Sequence, residues 1–298
     1  SDGGIVWSAS PSEPIMSAAR TTLFLSVALG ILPSLTACGQ ERQASIKHMN
    51  AGIEAANTQS FATSERELEQ AMTIDPENHF AAYTLGQVYI KEEKWDKAVA
   101  ALLAAIKISD GDAMYHYHLG HAYLELGKLE LARPELERAL ALNGRLFKAH
   151  YFLGRLHAIQ DRPKDAAKAW TESCRLNPGF GKPFLELGKL YYSWDYMQEA
   201  VSVLLQGAQN ARDLDDRSDL YYQLGMAYDA LAQNGKAIAA YESSLAEKRD
   251  NLDARLQLGF AYAVKGDKAK ARGFLEEFMK VGGGQSPVKI QAAQDRHR

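Results

Sequence analysis

Apolar and small residues recur along this chain in one fixed order. Leu85 and Tyr89, and again Leu119 and Tyr123, stand at i and i+4 and so share one helical face. Further on, Leu102 stands between Ala98 and Ala105, and Leu136 between Ala132 and Ala139, again at spacings of three and four. Each pair of runs predicts two helices, the first offering Leu, Gly and Tyr and the second offering Ala around a large residue. Gly127 and Gly266 fall in the turns inside such hairpins, and Asp75-Pro76 and Asn177-Pro178 fall where one hairpin gives way to the next.

The order repeats at a constant period. Leu-Gly pairs occur at 85/86, 119/120, 153/154, 187/188, 224/225 and 258/259. With Gly52, the glycines are separated by 34, 34, 34, 34, 37 and 34 residues. Three residues after the last six glycines stand Tyr89, Tyr123, His157, Tyr191, Tyr228 and Tyr262. Twelve residues after the same glycines stand Ala98, Ala132, Ala166, Ala200, Ala237 and Ala271. Glycine and alanine let two antiparallel helices approach closely, and one hairpin cannot bury this surface alone, so neighbours stack.

A large residue, Leu-Gly, Tyr and then small residues on a second helix resembles the tetratricopeptide repeat family, over residues 45 to about 285. That resemblance implies an all-α, right-handed superhelical solenoid of about seven repeats, near 45–78, 79–112, 113–146, 147–180, 181–217, 218–251 and 252–285. Pro134 falls inside a second helix, where it removes a backbone hydrogen bond and is expected to kink it. The 37-residue interval fits a three-residue insertion within Arg212 to Asp219. The first repeat has Ala55 and Ser64 where Tyr and Ala are expected and reads as a cap. Phe278 stands where the other second helices carry small residues, and Gly282-Gly283-Gly284 ends the regular pattern before a tail, 286–298.

The N-terminal part reads as an address. From Met16, a short segment carrying Arg20 leads into an apolar run from Leu23 to Leu32, which is signal-peptide architecture. The run is too short to span a bilayer, which takes about 20 apolar residues as a helix. Leu35-Thr36-Ala37-Cys38 resembles the bacterial lipobox, which implies cleavage of a signal peptide (16–37) and lipidation of Cys38. Several acyl chains on one cysteine would hold the protein to a membrane, because each buried methylene adds about 0.8 kcal/mol. Gly39 rather than Asp after the cysteine implies, by the same resemblance, the outer membrane and a periplasm-facing protein. Residues 1–15 show no periodicity and read as an upstream extension, and 38–44 read as a polar tether.

Charge and candidate chemistry narrow the picture. The 34 basic and 37 acidic residues are mixed along the chain and leave a net charge of -3 without a basic stripe, so nucleic acid is not an expected partner. Two cysteines, Cys38 and Cys174, are too few for a disulfide framework; Cys174 reads as a small buried hydrophobe. His116, His118, His121, His150 and His157 invite a metal reading, but His116 and His118 face different sides of a helix. His116 and His150 occupy positions that carry Phe184 and Tyr221 elsewhere, and His157 replaces the repeated Tyr. No phosphate loop, nucleophile elbow or Cys/His pair with catalytic context is present, so neither catalysis nor a cofactor or metal is expected.

The expected function is therefore binding. In the family resembled, first helices line a concave face, which places Tyr83, Gln87, Tyr117, His121, Tyr151, Arg155, Lys189, Tyr192, Tyr222 and Phe260 on an inner wall, aromatic with a basic middle. Tyr and Arg are favoured anchors, and Arg155 with Lys189 suit a carboxylate on a protein or peptide ligand. The other reading of the tyrosines is that they cover neighbouring helices. Met49 and Ile53 stand where the carboxylate-clamp subset of the family uses Lys and Asn, so recognition of chaperone tails is not expected. The leading expectation is a lipid-anchored adaptor that assembles or positions an envelope complex, with a resemblance to the pilotin lipoproteins of type IV pili. The alternatives are a structural or regulatory subunit of an envelope enzyme complex, and a cytosolic co-chaperone if the signal is not processed. The repeat pattern does not set the oligomeric state.

Overall fold

The computed structural model describes residues 32–281, with side chains from Gly39 onward. The expected extension 1–15, the signal peptide up to residue 31 and the tail 286–298 lie outside the described residues, as does the Cys38 side chain. What is described is all α-helix. Fourteen helices follow one another as seven hairpins: α1 (Leu32–Asn57) and α2 (Phe61–Ile74), α3 (His79–Lys91) and α4 (Trp95–Ile108), α5 (Ala113–Glu125) and α6 (Leu129–Leu142), α7 (Phe147–Ile159) and α8 (Pro163–Leu176), α9 (Gly181–Ser193) and α10 (Met197–Asn210), α11 (Leu214–Ala230) and α12 (Asn234–Glu247), α13 (Leu252–Lys265) and α14 (Lys268–Val281). They form two compact units that divide between Gly144 and Arg145.

Each hairpin closes on one contact. A methyl group at Gly86 would lie 2.7 Å from Leu102 Cγ, and one at Gly120 would lie 2.8 Å from Leu136 Cγ. Leu68, Trp170, Leu204, Tyr241 and Leu275 close the same space over Gly52, Gly154, Gly188, Gly225 and Gly259. The small residue one turn earlier on the second helix is Ala98, Ala132, Ala166, Ala200, Ala237 or Ala271, all buried. In the first hairpin it is Ser64, whose buried hydroxyl donates to the Gly52 carbonyl at 2.7 Å. Its departure from the repeat is thus accommodated by one hydrogen bond.

Neighbouring hairpins are joined by a polar clamp at two equivalent loops. Asn78 caps α3 by accepting from Ala81 N–H at 3.0 Å and donates to Ser45 Oγ at 2.9 Å, while Ser45 donates to the Ala71 carbonyl at 2.8 Å. Asn251 likewise caps α13 at 3.1 Å and donates to the buried Ser218 and Ser244 hydroxyls at 3.0 and 3.1 Å. One amide therefore satisfies the start of a helix and ties it to both helices of the preceding hairpin.

Two details depart from the sequence expectation, at α1 and α11, and two more concern Pro134 and Phe278, which the sequence singled out. Helix α1 runs unbroken from Leu32 through the segment read as a tether, since Gln40 to Ala44 are good helix formers and Pro33 sits in the first turn, where its missing N–H costs no bond. Helix α6 continues through Pro134, whose ring nitrogen leaves the Glu130 carbonyl without its helical partner. The long interval is absorbed as helix: α11 has 17 residues where α9 has 13, and it starts at Leu214, before the boundary expected at 218. Asp213 caps it by accepting from Asp216 N–H at 2.9 Å. Phe278 is fully buried against Leu256 and Leu275, so a large side chain fills its hairpin where the others carry small ones.

All seven hairpin turns place one residue in the left-handed region, at Gln59, Glu93, Gly127, Asp161, Asp195, Ala232 and Gly266. Only two are glycine. An alanine there carries a steric cost that glycine lacks, partly offset by the greater freedom of glycine in the unfolded chain. Ala232→Gly is expected to stabilise the protein and Gly127→Ala to destabilise it, each by about 1 kcal/mol, read as opposite shifts of the urea midpoint at unchanged slope.

Candidate functional site

First helices of successive hairpins touch one another: α1 with α3 and α3 with α5 in residues 32–144, and α9 with α11 and α11 with α13 in residues 145–281. Each turns Leu and Gly toward its own second helix, so the residues three before and one after the glycine are left for the layer's own surface.

In the first unit, Tyr83 and Gln87 stand together on α3. Gln87 Nε2 donates to Tyr83 Oη at 2.7 Å and lies 3.0 Å from His118 Nε2. The Tyr83 ring lies 4.5 Å from that of Tyr115, and burial pushes its hydroxyl well above the ordinary tyrosine range. Tyr117 departs from the expected open position: it is only 4% exposed, its ring 4.4 Å from His118 and stacked toward His121 at 6.5 Å. His121 remains partly open, with Trp95 edge-on at 5.5 Å and Glu125 at 3.4 Å. Repeat register alone placed these residues; that α5 also carries Tyr115 and His118 into the same aromatic cluster became visible only once the helices were packed.

In the second unit, Tyr151 is likewise 9% exposed, held edge-on between Phe152 at 5.1 Å and Phe180 at 5.2 Å, so its role is packing between helices. Arg155 lays its guanidinium over the Phe152 ring at 5.4 Å. Lys189 is exposed and 3.4 Å from Glu186. Tyr192 and Tyr222 are half-buried; burial pushes the Tyr222 hydroxyl up to about 12. Phe260 packs on Leu256, Leu275 and Phe278. A basic middle is only part of the charge, because the extended start of α11 adds Asp216, and Asp219 stands in the register that Lys182 holds on α9; burial raises both carboxyls above their ordinary range. The signal of Asp216 in the sequence was the insertion itself.

Other candidates resolve into packing. His116 is buried, with Nδ1 2.7 Å from Glu135 Oε2 and Nε2 2.9 Å from the Asp110 carbonyl. Among the described residues no group of three or more His, Cys, Asp or Glu comes together as a metal site. Cys174 is buried and its thiol is pushed up to about 12 by desolvation, the state of an unreactive core residue. Cys38 has its backbone in α1, and no described helix is long and apolar enough to cross a membrane.

Comparison with known proteins decides the family. Models described as TPR repeat match residues 86–127, and models described as tetratricopeptide repeat match 117–179, 218–251 and 253–281. The chain is a tetratricopeptide repeat protein. The chain is 29% identical over 103 residues to the uncharacterized protein ycf37 of Guillardia theta, matching 34% of this chain and 57% of that one. Its fold is similar to the Cut9–Hcn1 assembly of the APC/C (TM-score 0.62, 19% identity, 77% of this chain and 45% of that one). It is also similar to a tetratricopeptide repeat protein from Parabacteroides merdae (TM-score 0.58, 17% identity, 86% and 99%) and to YrrB, a TPR protein with an unusual peptide-binding site (TM-score 0.52, 20% identity, 65% and 98%). The chain spans just over half the length of the curated relative and under half of the first structure.

Two of the repeated tyrosines of these tetratricopeptide repeats are structural anchors between hairpins. Tyr89 donates to Glu65 Oε1 at 2.8 Å, and Tyr262 donates to Glu242 at 2.5 Å, each reaching the second helix of the preceding hairpin. In three hairpins the residue just before the repeated alanine places an ammonium over the ring: Lys97 over Tyr89 at 5.1 Å, Lys236 over Tyr228 at 5.4 Å and Lys270 over Tyr262 at 4.8 Å. Glu65 also accepts from Lys97 at 2.8 Å and Lys94 at 3.2 Å; the Lys97 hydrogen bond is the main reason its carboxyl is lowered to about 2. A carboxyl depressed in the folded state contributes stability above its unfolded value, and that contribution is lost as pH falls toward the folded value. Glu65→Gln is therefore expected to lower the melting temperature above pH 5, with the gap to the parent protein closing between about pH 4.5 and 2. A gap that stays constant across that range would remove Glu65 from this role.

Proposed function

We propose that this protein is a non-catalytic scaffold that binds protein or peptide partners through its first-helix layers and is held in a bacterial envelope by a lipid on Cys38. The tetratricopeptide repeats support a protein–protein interaction scaffold. What carries the reading is that the first-helix layers keep Tyr83, Gln87, His121, Arg155, Lys189, Tyr192 and Tyr222 partly open, while Tyr89 and Tyr262 of the repeated tyrosines are committed to inter-hairpin contacts. The open residues combine aromatic area with directed polar groups, the composition favoured where binding energy concentrates. Tyr117 and Tyr151 are buried, each within its own layer.

The envelope assignment is supported by the order of charged segment, apolar run and Leu35-Thr36-Ala37-Cys38. An adaptor that assembles or positions an envelope complex follows from a fixed anchor joined to a binding surface; the subunit of an envelope enzyme complex is the second reading, separated from the first by whether a pore subunit or a hydrolase or synthase co-purifies.

Expression from Met16 in a bacterial host should give a membrane-bound product whose mature terminus is acylated Cys38, and Cys38→Ala should release unprocessed protein; mass spectrometry of the terminus reads both. A soluble, unmodified product would favour a cytosolic co-chaperone. In the binding test, Arg155→Glu with Lys189→Glu should cut partner capture by about tenfold or more at unchanged circular dichroism. Unchanged capture by the folded variant would reject the wall.

A further inference from the structure

The start of the first unit shows apolar side chains that its packing leaves open. Ile46 on α1 is 42% exposed and Phe80 on α3 is 55% exposed. Both stand six residues before a repeat glycine, so register gives them equivalent places on two first helices that touch. The helices are tied at this point: Asn78, the cap of α3, donates to the hydroxyl of Ser45, which immediately precedes Ile46. Arg42 lies in the same place. Burial, and with it Arg42, holds the His79 imidazole below its ordinary range, with Asp112 acting the other way. The Phe80 ring rests on His79 at 4.1 Å, and more than half of the residue stays open.

Cations border these side chains. Arg42 stands one turn before Ile46 and Lys47 directly after it; both are exposed, and among the described residues neither makes an ion pair. Glu41 and Glu77 are exposed in the same two segments, so the balance of charge is even and long-range attraction is weak. What the place offers acts at short range. Two apolar side chains beside two cations on long stems match the headgroup layer of a bilayer, where the apolar groups enter among acyl chains and the cations meet phosphates. Cys38, the residue read as lipidated, stands on the same unbroken helix eight residues before Ile46, about 12 Å along its axis. A lipid there would bring this surface to a bilayer.

We propose that Arg42, Ile46, Lys47 and Phe80 form a membrane contact that beds the first hairpin in the headgroup layer of a phospholipid bilayer. The proposal rests on lipidation of Cys38 and adds a second point of attachment to it. Held at residue 38 and again at the patch, α1 lies along the bilayer surface.

The test uses the chain expressed from Met16, purified in mild detergent and reconstituted into vesicles of phosphatidylethanolamine and phosphatidylglycerol, with mass spectrometry of Cys38 on the same sample. Ile46→Cys, Phe80→Cys and Ile159→Cys are each labelled with an NBD fluorophore; Cys174 is buried and does not compete. Ile159 is 56% exposed, as open as Phe80, and ends its first helix, α7, so it reports what apolar exposure alone does. Nitroxide-bearing lipid should quench the fluorophore at residues 46 and 80 about threefold more than at 159. Arg42→Glu with Lys47→Glu, which breaks no ion pair among the described residues, should cut the quenching at residue 80 by about half or more. Equal quenching at the three sites, none at 46 and 80, or quenching at 80 that the glutamates leave unchanged overturns the proposal. A fluorophore at 80 that is shielded only when a co-purifying envelope subunit is added makes the surface a protein interface and overturns it as well. With Cys38 acylated, those results leave the anchor and remove the patch; an unmodified Cys38 removes both.

Discussion

The approach of each first helix to its second is set by a glycine lying under one large side chain, and everything else in the hairpin follows from that distance. With no Cβ at Gly86 or Gly120, Leu102 and Leu136 sit directly on the opposing backbone and both are fully buried. The seat takes larger residues when their polar atoms find partners: Trp170 donates its indole N–H to the Tyr151 carbonyl at 3.2 Å, and Tyr241 donates to Asp229 at 2.7 Å. Once the pair is closed, the remaining apolar surface faces the next hairpin, which is why the unit of structure is the stack.

That geometry divides labour among residue positions. The tyrosine three residues after the glycine points toward the preceding second helix and is used up there by Glu65, Glu242 and the overlying lysines. Positions before and just after the glycine are left to the first-helix layer, where packing is looser and chemistry varies from repeat to repeat. The array thus separates constant, stabilising contacts from variable, surface ones along a single helix.

Much of this was legible because a period of 34 is a strong signal and the residues that carry it are the ones that pack. Leu85, Gly86, Tyr89 and Ala98 could be assigned before any coordinates, since their sizes only fit one arrangement. The turns were less legible. Gly127 and Gly266 announce a left-handed residue, whereas Gln59, Glu93, Asp161, Asp195 and Ala232 take the same conformation because the hairpin imposes it. Register placed these residues on first helices without their exposure: it cannot distinguish Tyr83, partly open, from Tyr117, covered, because that depends on which rings surround each. The charge of the second unit's face was obscured in part by the insertion, which adds Asp216 at a place that has no counterpart on α9.

Helix α1 has a mechanical consequence. A polar leash of a few residues lets an attached domain wander, whereas a helix rises about 1.5 Å per residue and keeps its direction. Because α1 passes without a break from before Cys38 into the first hairpin, a lipid at that cysteine would act as a mount rather than a leash, setting both the standoff and the orientation of the first repeat relative to the bilayer.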